Sequence, residues 1–362
     1  MTIHYFNPDN DLALANGGAH YTATPRAELL RRDLQLLPCW LAASGDAVLC
    51  DDTSLQAWVD AQGLSVTLID RRALPDLSVG AVLRPWGWSA AMRWRLARWG
   101  VDERILPSHE QMAVWRQLAH RRISIAIHSR VGELLGRDLC PPPVELTLLD
   151  EVMAFARAHP GGYVKEPWSG SGRGILRALP PVGRDFVQRA EGALRRQGSV
   201  LCEPAYDCML DFAVEMACRG GTVEMTGYSV FRSDFHSQYS AGIVASRRVL
   251  RRMIENMYPD FSMVESAVVQ SVSELVAPHY DGVLGVDMLL YRRTDGIVGI
   301  NPCVELNLRT TMGHVTAALA DRHVMQGRFI IKPVPSLQPG DKALTPIVEG
   351  STLVACLSGN NG

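Results

Sequence analysis

One stretch limits most strongly what this chain can fold into: Val304-Glu305-Leu306-Asn307-Leu308-Arg309, with Gly285-Val286-Asp287 upstream. Both lie in apolar, strand-like runs, Gly282 to Arg292 and Ile297 to Leu308, and Thr294-Asp295-Gly296 between them reads as a hairpin turn. Residues two apart on a strand share a face, so Glu305, Asn307 and Arg309 are expected to point the same way. A carboxylate, a carboxamide and a guanidinium make a poor core. They make a good oxygen-ligand site for a hard cation, with an arginine nearby for an anion. Asp287 joins them only if the register puts it on the same face. Its separation from Glu305 is even, so a regular hairpin needs an odd-length loop, and an even loop needs a bulge. A surface face of solvated charges is the alternative, and the apolar flanks argue against it.

Carboxylates of this kind suit magnesium, which is usually held by one or two of them plus substrate phosphates. Composition sets the outer bounds. A chain of 362 residues with net charge −2 is expected to be a soluble globular protein of two or three domains. The near-neutral balance gives no general electrostatic case for nucleic acid or anionic membranes. No run of about eighteen apolar residues occurs and no basic-then-apolar leader opens the chain, so neither a membrane span nor secretion is expected. Eight cysteines are scattered without a C-x-x-C pair, which fits free buried thiols and a reducing cytoplasm.

The first third alternates strands (Ile3 to Phe6, Ala47 to Cys50, Val66 to Ile69, Ala81 to Arg84) with helices, the pattern of a small parallel α/β sheet. One helix is expected from Thr24-Pro25 to about Ala43. The loop Asn7 to Asp11 follows the first strand, where such sheets take ligands. Pro85 to Gly100 interleaves tryptophans with arginines, as single-stranded nucleic-acid binders do. Trp88, Met92, Leu96 and Trp99 nevertheless fall at helical spacing, and a core-facing helix explains them without a ligand. Cys140-Pro141-Pro142-Pro143 is the clearest boundary.

A second stretch bears on the first. Gly162 to Glu166 reads as a strand entering Pro167-Trp168-Ser169-Gly170-Ser171-Gly172-Arg173-Gly174, a loop whose backbone can approach an anion closely. Lysine occurs only at Lys165, Lys332 and Lys342, and Lys165 precedes this loop, where a compact point charge is useful. The loop is neither the G-x-x-x-x-G-K-[ST] phosphate loop nor a dinucleotide fingerprint, because a strand follows. Ser199 to Glu203 is a further strand. Phe235 to Val244 carries a polar cluster that includes His236 and Gln238.

A strand with lysine, a Ser/Gly loop, a strand ending in Glu, a strand with Asp and a final E-x-N-x-R strand: this order resembles the ATP-grasp superfamily over roughly residues 121–320. The resemblance implies a mixed α/β and α+β fold. A small parallel N-terminal domain (1–120) would precede an ATP-grasp-like domain (121–335) of two α+β subdomains clasping ATP, with a lid at 145–206 and a C-terminal extension at 336–362. It implies that Lys165 contacts phosphate and the adenine edge, and that Ser169, Gly170, Ser171, Gly172, Arg173 and Gly174 cover the phosphates. Glu203 would lie at the adenine hinge, and Asp207 or Asp211 would reach the ribose. Asp287, Glu305 and Asn307 would hold two magnesium ions, while Lys165 and Arg309 would act on the transferring phosphoryl group or its acceptor. The family's usual earlier lysine is missing, and Arg121 or Arg122 stands in its place.

The activity implied is ATP- and magnesium-dependent ligation of a small-molecule carboxylate to an amine through an acylphosphate, without nucleic acid or membrane as partner. A small-molecule kinase using the same site, or a non-catalytic nucleotide binder on the same scaffold, are the alternatives.

Overall fold

The computed structural model describes residues 1–170, 174–234 and 239–359. The chain divides into two compact units. Unit 1 comprises Met1–Arg116, Ser240–Arg247 and Arg309–Gly362; unit 2 comprises Gln117–Tyr239 and Arg248–Leu308.

Unit 1 contains a four-stranded parallel sheet in the spatial order Thr67–Ile69, Ala47–Leu49, Thr2–Tyr5, Val82–Pro85, within a residue or two of the expected strands. The helix that begins at Pro25 is capped by the Thr24 hydroxyl, which accepts from the Ala27 amide at 3.3 Å. It ends at Leu34 rather than near Ala43, and a 3₁₀ turn over Leu37–Trp40 replaces its last turns. Pro38 supplies no amide hydrogen and its ring clashes with the preceding turn. The helix Ala90–Arg98 lays Met92 and Leu96 into a core with Ile3, Ala47 and Leu49. Trp88 and Trp99 pack against the same cluster, so the tryptophan–arginine segment is a core-facing helix.

The C-terminal residues join unit 1 through specific bonds. The buried Asp33 carboxylate accepts from the backbone amides of Thr352 and Leu353, each at 2.9 Å. The Trp40 indole donates to the Leu344 carbonyl at 2.6 Å. Gly327–Pro333 and Leu353–Ser358 pair antiparallel here.

Among the described residues, unit 2 holds strands of two sheets. In one, Val298–Asn307, Gly282–Arg292, Asp207–Arg219 and Thr222–Ser233 lie side by side, all antiparallel, with helices Ile123–Leu135 and Phe261–Leu275 packed on it. In the other, the order is Val144–Leu146, Val200–Glu203, Tyr163–Lys165, Ile175–Arg177. Helices Leu149–Ala158 and Arg184–Gln197 cover that sheet, burying Val152, Ala156, Phe186 and Ala190 against Val164 and Cys202. Among the described residues no helix is long and apolar enough to cross a membrane. All eight cysteines are free and seven are buried. Burial pushes the Cys39, Cys140 and Cys202 thiols up to about 12.

Leu96 is 3% exposed. Leu96→Ala should therefore destabilise unit 1 by about 2–5 kcal/mol, read as a lower urea midpoint. A change under about 0.5 kcal/mol would mean that this helix does not face a core.

Candidate active site

The hairpin of unit 2 is built around its turn. Arg293 donates its amide to the Ile297 carbonyl at 2.9 Å, enclosing the three-residue loop Thr294-Asp295-Gly296. Gly296 has φ +81°, a left-handed conformation that glycine adopts without strain. This odd loop keeps even-separated residues on one face. The pairing then slips between Leu289↔Asn301 and Asp287↔Glu305, so two extra residues are accommodated on the Val298–Asn307 strand. A slip of two preserves the face. Pro302 sits in the slip and has no amide to give to a ladder. The Asn301 carboxamide accepts the Cys303 amide at 3.0 Å, and the His128 ring meets the Cys303 carbonyl at 3.1 Å. Burial holds His128 below its ordinary value, and because a carbonyl oxygen only accepts, the ring nitrogen donates to it.

Asp287 therefore lies directly opposite Glu305. The Asn307 carboxamide donates to Asp287 Oδ2 at 3.0 Å. An Arg121 guanidinium nitrogen lies 2.7 Å from Glu305 Oε2. The strand ends at Asn307, so its alternation does not extend to Arg309. In unit 1 the Arg309 guanidinium grips both oxygens of Asp11, at 2.9 to 3.1 Å. The helix after it is Met312–Asp321, closed by a capping box between Thr311 and His314; the amide of its third residue is thus spoken for.

Lys165 and Glu203 form a buried ion pair. Tyr163 pairs with Glu203 across the sheet, and Lys165, two residues on, shares that face. A cavity of about 320 Å³ in unit 2 is lined by Arg121, Lys165, Glu203, Asp211, Asp287 and Glu305, with Ile175, Met288, Leu289 and Phe231 among its apolar walls. Burial pushes the Asp211 carboxyl above the usual range, against the Cys208 thiol and Lys165, which pull it down. Asp207 lies outside this lining, exposed and 3.7 Å from Arg292.

The base of the glycine-rich loop is tied down at several points. Glu166 donates its amide to the Gly174 carbonyl at 2.8 Å. Gly174 has φ +69°, and a Cβ there would lie 2.9 Å from the Ser169 Cβ, so only glycine fits. The Arg121 side chain donates to the Glu166 carbonyl at 3.0 Å and to the Ser169 carbonyl at 2.9 Å. Ser169 is buried and Gly170 follows it. Ser171, Gly172 and Arg173, like His236 and Gln238, lie outside the described residues.

Of the two arginines proposed in place of the lysine, only Arg121 enters the cavity. Arg122 turns to Glu145 at 2.8 Å, its side chain half exposed. Asn301 and Phe231 do not stand out in the sequence, and Asp11 does so only as the end of the Asn7 to Asp11 loop, not as a partner of Arg309. A proline flanked by Asn301 and Cys303 inside an apolar strand is the signal that marks the bulge; nothing local marks Phe231.

Among the described residues no group of three or more His, Cys, Asp or Glu side chains could hold a metal. Two carboxylates and a carboxamide do not make a complete protein cage. They suit magnesium, which keeps waters and takes the rest of its ligands from phosphate.

No family model matches the sequence, and no curated protein does. Solved structures do match over nearly the whole chain. The biotin carboxylase domain of Hydrogenobacter thermophilus 2-oxoglutarate carboxylase, in complex with MgADP, ADP and bicarbonate, is 13% identical with a TM-score of 0.53, covering 98% of this chain and 85% of that one. Campylobacter jejuni biotin carboxylase, complexed with an ATP compound, is 12% identical with a TM-score of 0.53, over 98% and 86%. Staphylococcus aureus N5-carboxyaminoimidazole synthetase, complexed with ADP, is 10% identical with a TM-score of 0.50, over 100% and 93%. At these identities the likeness is one of fold.

Arg121→Ala leaves Glu305 without its guanidinium and frees the loop carbonyls, and should destabilise unit 2 by about 3–5 kcal/mol. Arg122→Ala should change stability by less than about 1 kcal/mol. Urea unfolding of the two variants checks this, and equal effects would contradict the assignment.

Proposed function

We propose that this chain, whose fold is the ATP-grasp fold, is an ATP- and magnesium-dependent ligase. It would activate a small-molecule carboxylate as an acylphosphate for attack by an amine. The observation that carries this reading is the placement of Asp287 directly opposite Glu305, in one cavity with Lys165 and Glu203.

In this reading Asp287, Glu305 and Asn307 hold two magnesium ions, which supply charge neutralisation on the phosphates. Lys165 contacts phosphate and the adenine edge from its buried position beside Glu203, the hinge residue. Asp211 reaches the ribose. Arg121, in place of the family's lysine, holds a phosphate, while Ser169, Gly170 and Gly174 shape the loop that covers it. Arg309, which donates three bonds to Asp11, would act on the transferring phosphoryl group or its acceptor. Phosphoryl transfer needs positioning and charge more than covalent chemistry from the protein, and Lys and Arg supply both. The set of buried free thiols supports a reducing compartment, the cytoplasm.

Purified protein given ATP, magnesium and a panel of carboxylates and amines should release ADP only when an acceptor acid is present. Glu305→Gln should lower kcat by about a hundredfold or more, and full activity in that variant would remove the metal role. Hydroxylamine in place of the amine should yield a hydroxamate; ADP release without hydroxamate would point to transfer onto a hydroxyl instead.

A further inference from the structure

Unit 1 contains a cavity larger than the one described above, about 820 Å³ against about 320 Å³. Its floor is the carboxyl end of the parallel sheet. Tyr5 ends the first strand, Leu49 ends the second, and Asp70 follows the third. Parallel sheets take ligands at this end, and the volume is in the range of small-molecule sites.

The walls combine two chemistries. Trp94 and Trp99 supply ring surface, and Trp99 is fixed edge-on to Tyr5 with centroids 5.6 Å apart. The charged groups are unevenly matched. Arg31 joins Glu28 and Asp51, both at 2.8 Å. Asp70 Oδ1 accepts the backbone amides of Arg72 at 2.8 Å and Ala73 at 3.1 Å. The carboxylates of the wall are thereby engaged. Arg71, Arg72 and Arg95 also line the cavity, and among the described residues none of the three forms an ion pair within 4.0 Å. Arg95 is half-buried and lines the same cavity as Tyr5.

We propose that this cavity binds a small molecule carrying both a planar ring and an oxyanion, carboxylate or phosphate. The oxyanion pairs with Arg95, Arg71 and Arg72 guard the mouth, and the ring packs on Trp94 and Trp99. A guanidinium fork matches either oxyanion bidentately, and tryptophan faces favour a planar ring. The site lies within unit 1 and does not depend on the ligase reading.

Isothermal titration of the full chain tests it with phenylacetate and phenyl phosphate as probes. Benzyl alcohol supplies the ring without the charge; acetate and inorganic phosphate supply the charge without the ring. One ring-bearing oxyanion should bind at a single site at least about tenfold tighter than any of the three partial probes. Which of the two binds identifies the oxyanion. Arg95→Gln should weaken that binding at least about tenfold, and Lys165→Ala, in unit 2, should leave it unchanged. If Arg95→Gln melts early, the Arg71→Ala/Arg72→Ala pair on exposed side chains takes its place, with weakening again expected. The proposal is overturned if neither ring oxyanion exceeds the partial probes, or if binding survives the unit 1 variants and is lost with Lys165. A parallel titration with MgATP on the Arg95→Gln chain, whose unit 1 site is impaired, reports on unit 2, so failure of this site and failure of the ligase reading give different results.

Discussion

Two carboxylates facing each other across neighbouring strands set the terms for unit 2. Like charges directly opposite in a sheet are destabilising, so the Asp287–Glu305 pair needs positive charge or donors close by. The protein supplies both. Asn307 gives an N–H to Asp287, and Arg121 lies on Glu305. A divalent cation with oxygen ligands answers the same demand more completely, since it neutralises both groups at once. The arrangement has a mechanical side as well. The guanidinium that meets Glu305 also holds the carbonyls of Glu166 and Ser169. The charge state of the hairpin and the anchorage of the glycine-rich loop thus share one side chain, and anything that draws Arg121 from Glu305 acts on the loop base too.

The hairpin reaches this geometry by a specific route. Its three-residue loop fixes parity, and the slip of two at Pro302 moves Glu305 opposite Asp287 without changing faces. Bulged backbone needs partners for its stranded polar groups. Asn301 and His128 provide them at the Cys303 amide and carbonyl. The helix Ile123–Leu135 carries His128, and Arg121 stands two residues before its start. One helix therefore steadies the bulge and delivers the guanidinium.

Much of this could be read in the residues beforehand, and the exceptions have physical causes. Strands of the parallel sheet were legible because short apolar runs alternate with helical periods. So was the parity demand on Asp287, which follows from a strand's period of two. The helix stops at Leu34, short of the expected end near Ala43, because Pro38 cannot continue the turn. Arg309 was placed on the strand by alternation alone, yet the strand stops at Asn307 and Asp11, nearly 300 positions away, claims the side chain. Choosing between Arg121 and Arg122 was beyond the sequence. Both precede the helix, and only tertiary partners, Glu305 for one and Glu145 for the other, separate them. The assembly of unit 1 from three distant segments rests on bonds such as Asp33 to Thr352, which no local pattern announces.

A crystal structure of the chain grown with ADP and magnesium tests the central claim most directly. It should show nucleotide in the unit 2 cavity and magnesium about 2.1 Å from carboxylate oxygens of Asp287 and Glu305, with the Arg121 guanidinium moved from Glu305 toward phosphate. Magnesium bound only by phosphate and water, with Arg121 still on Glu305, would contradict the account.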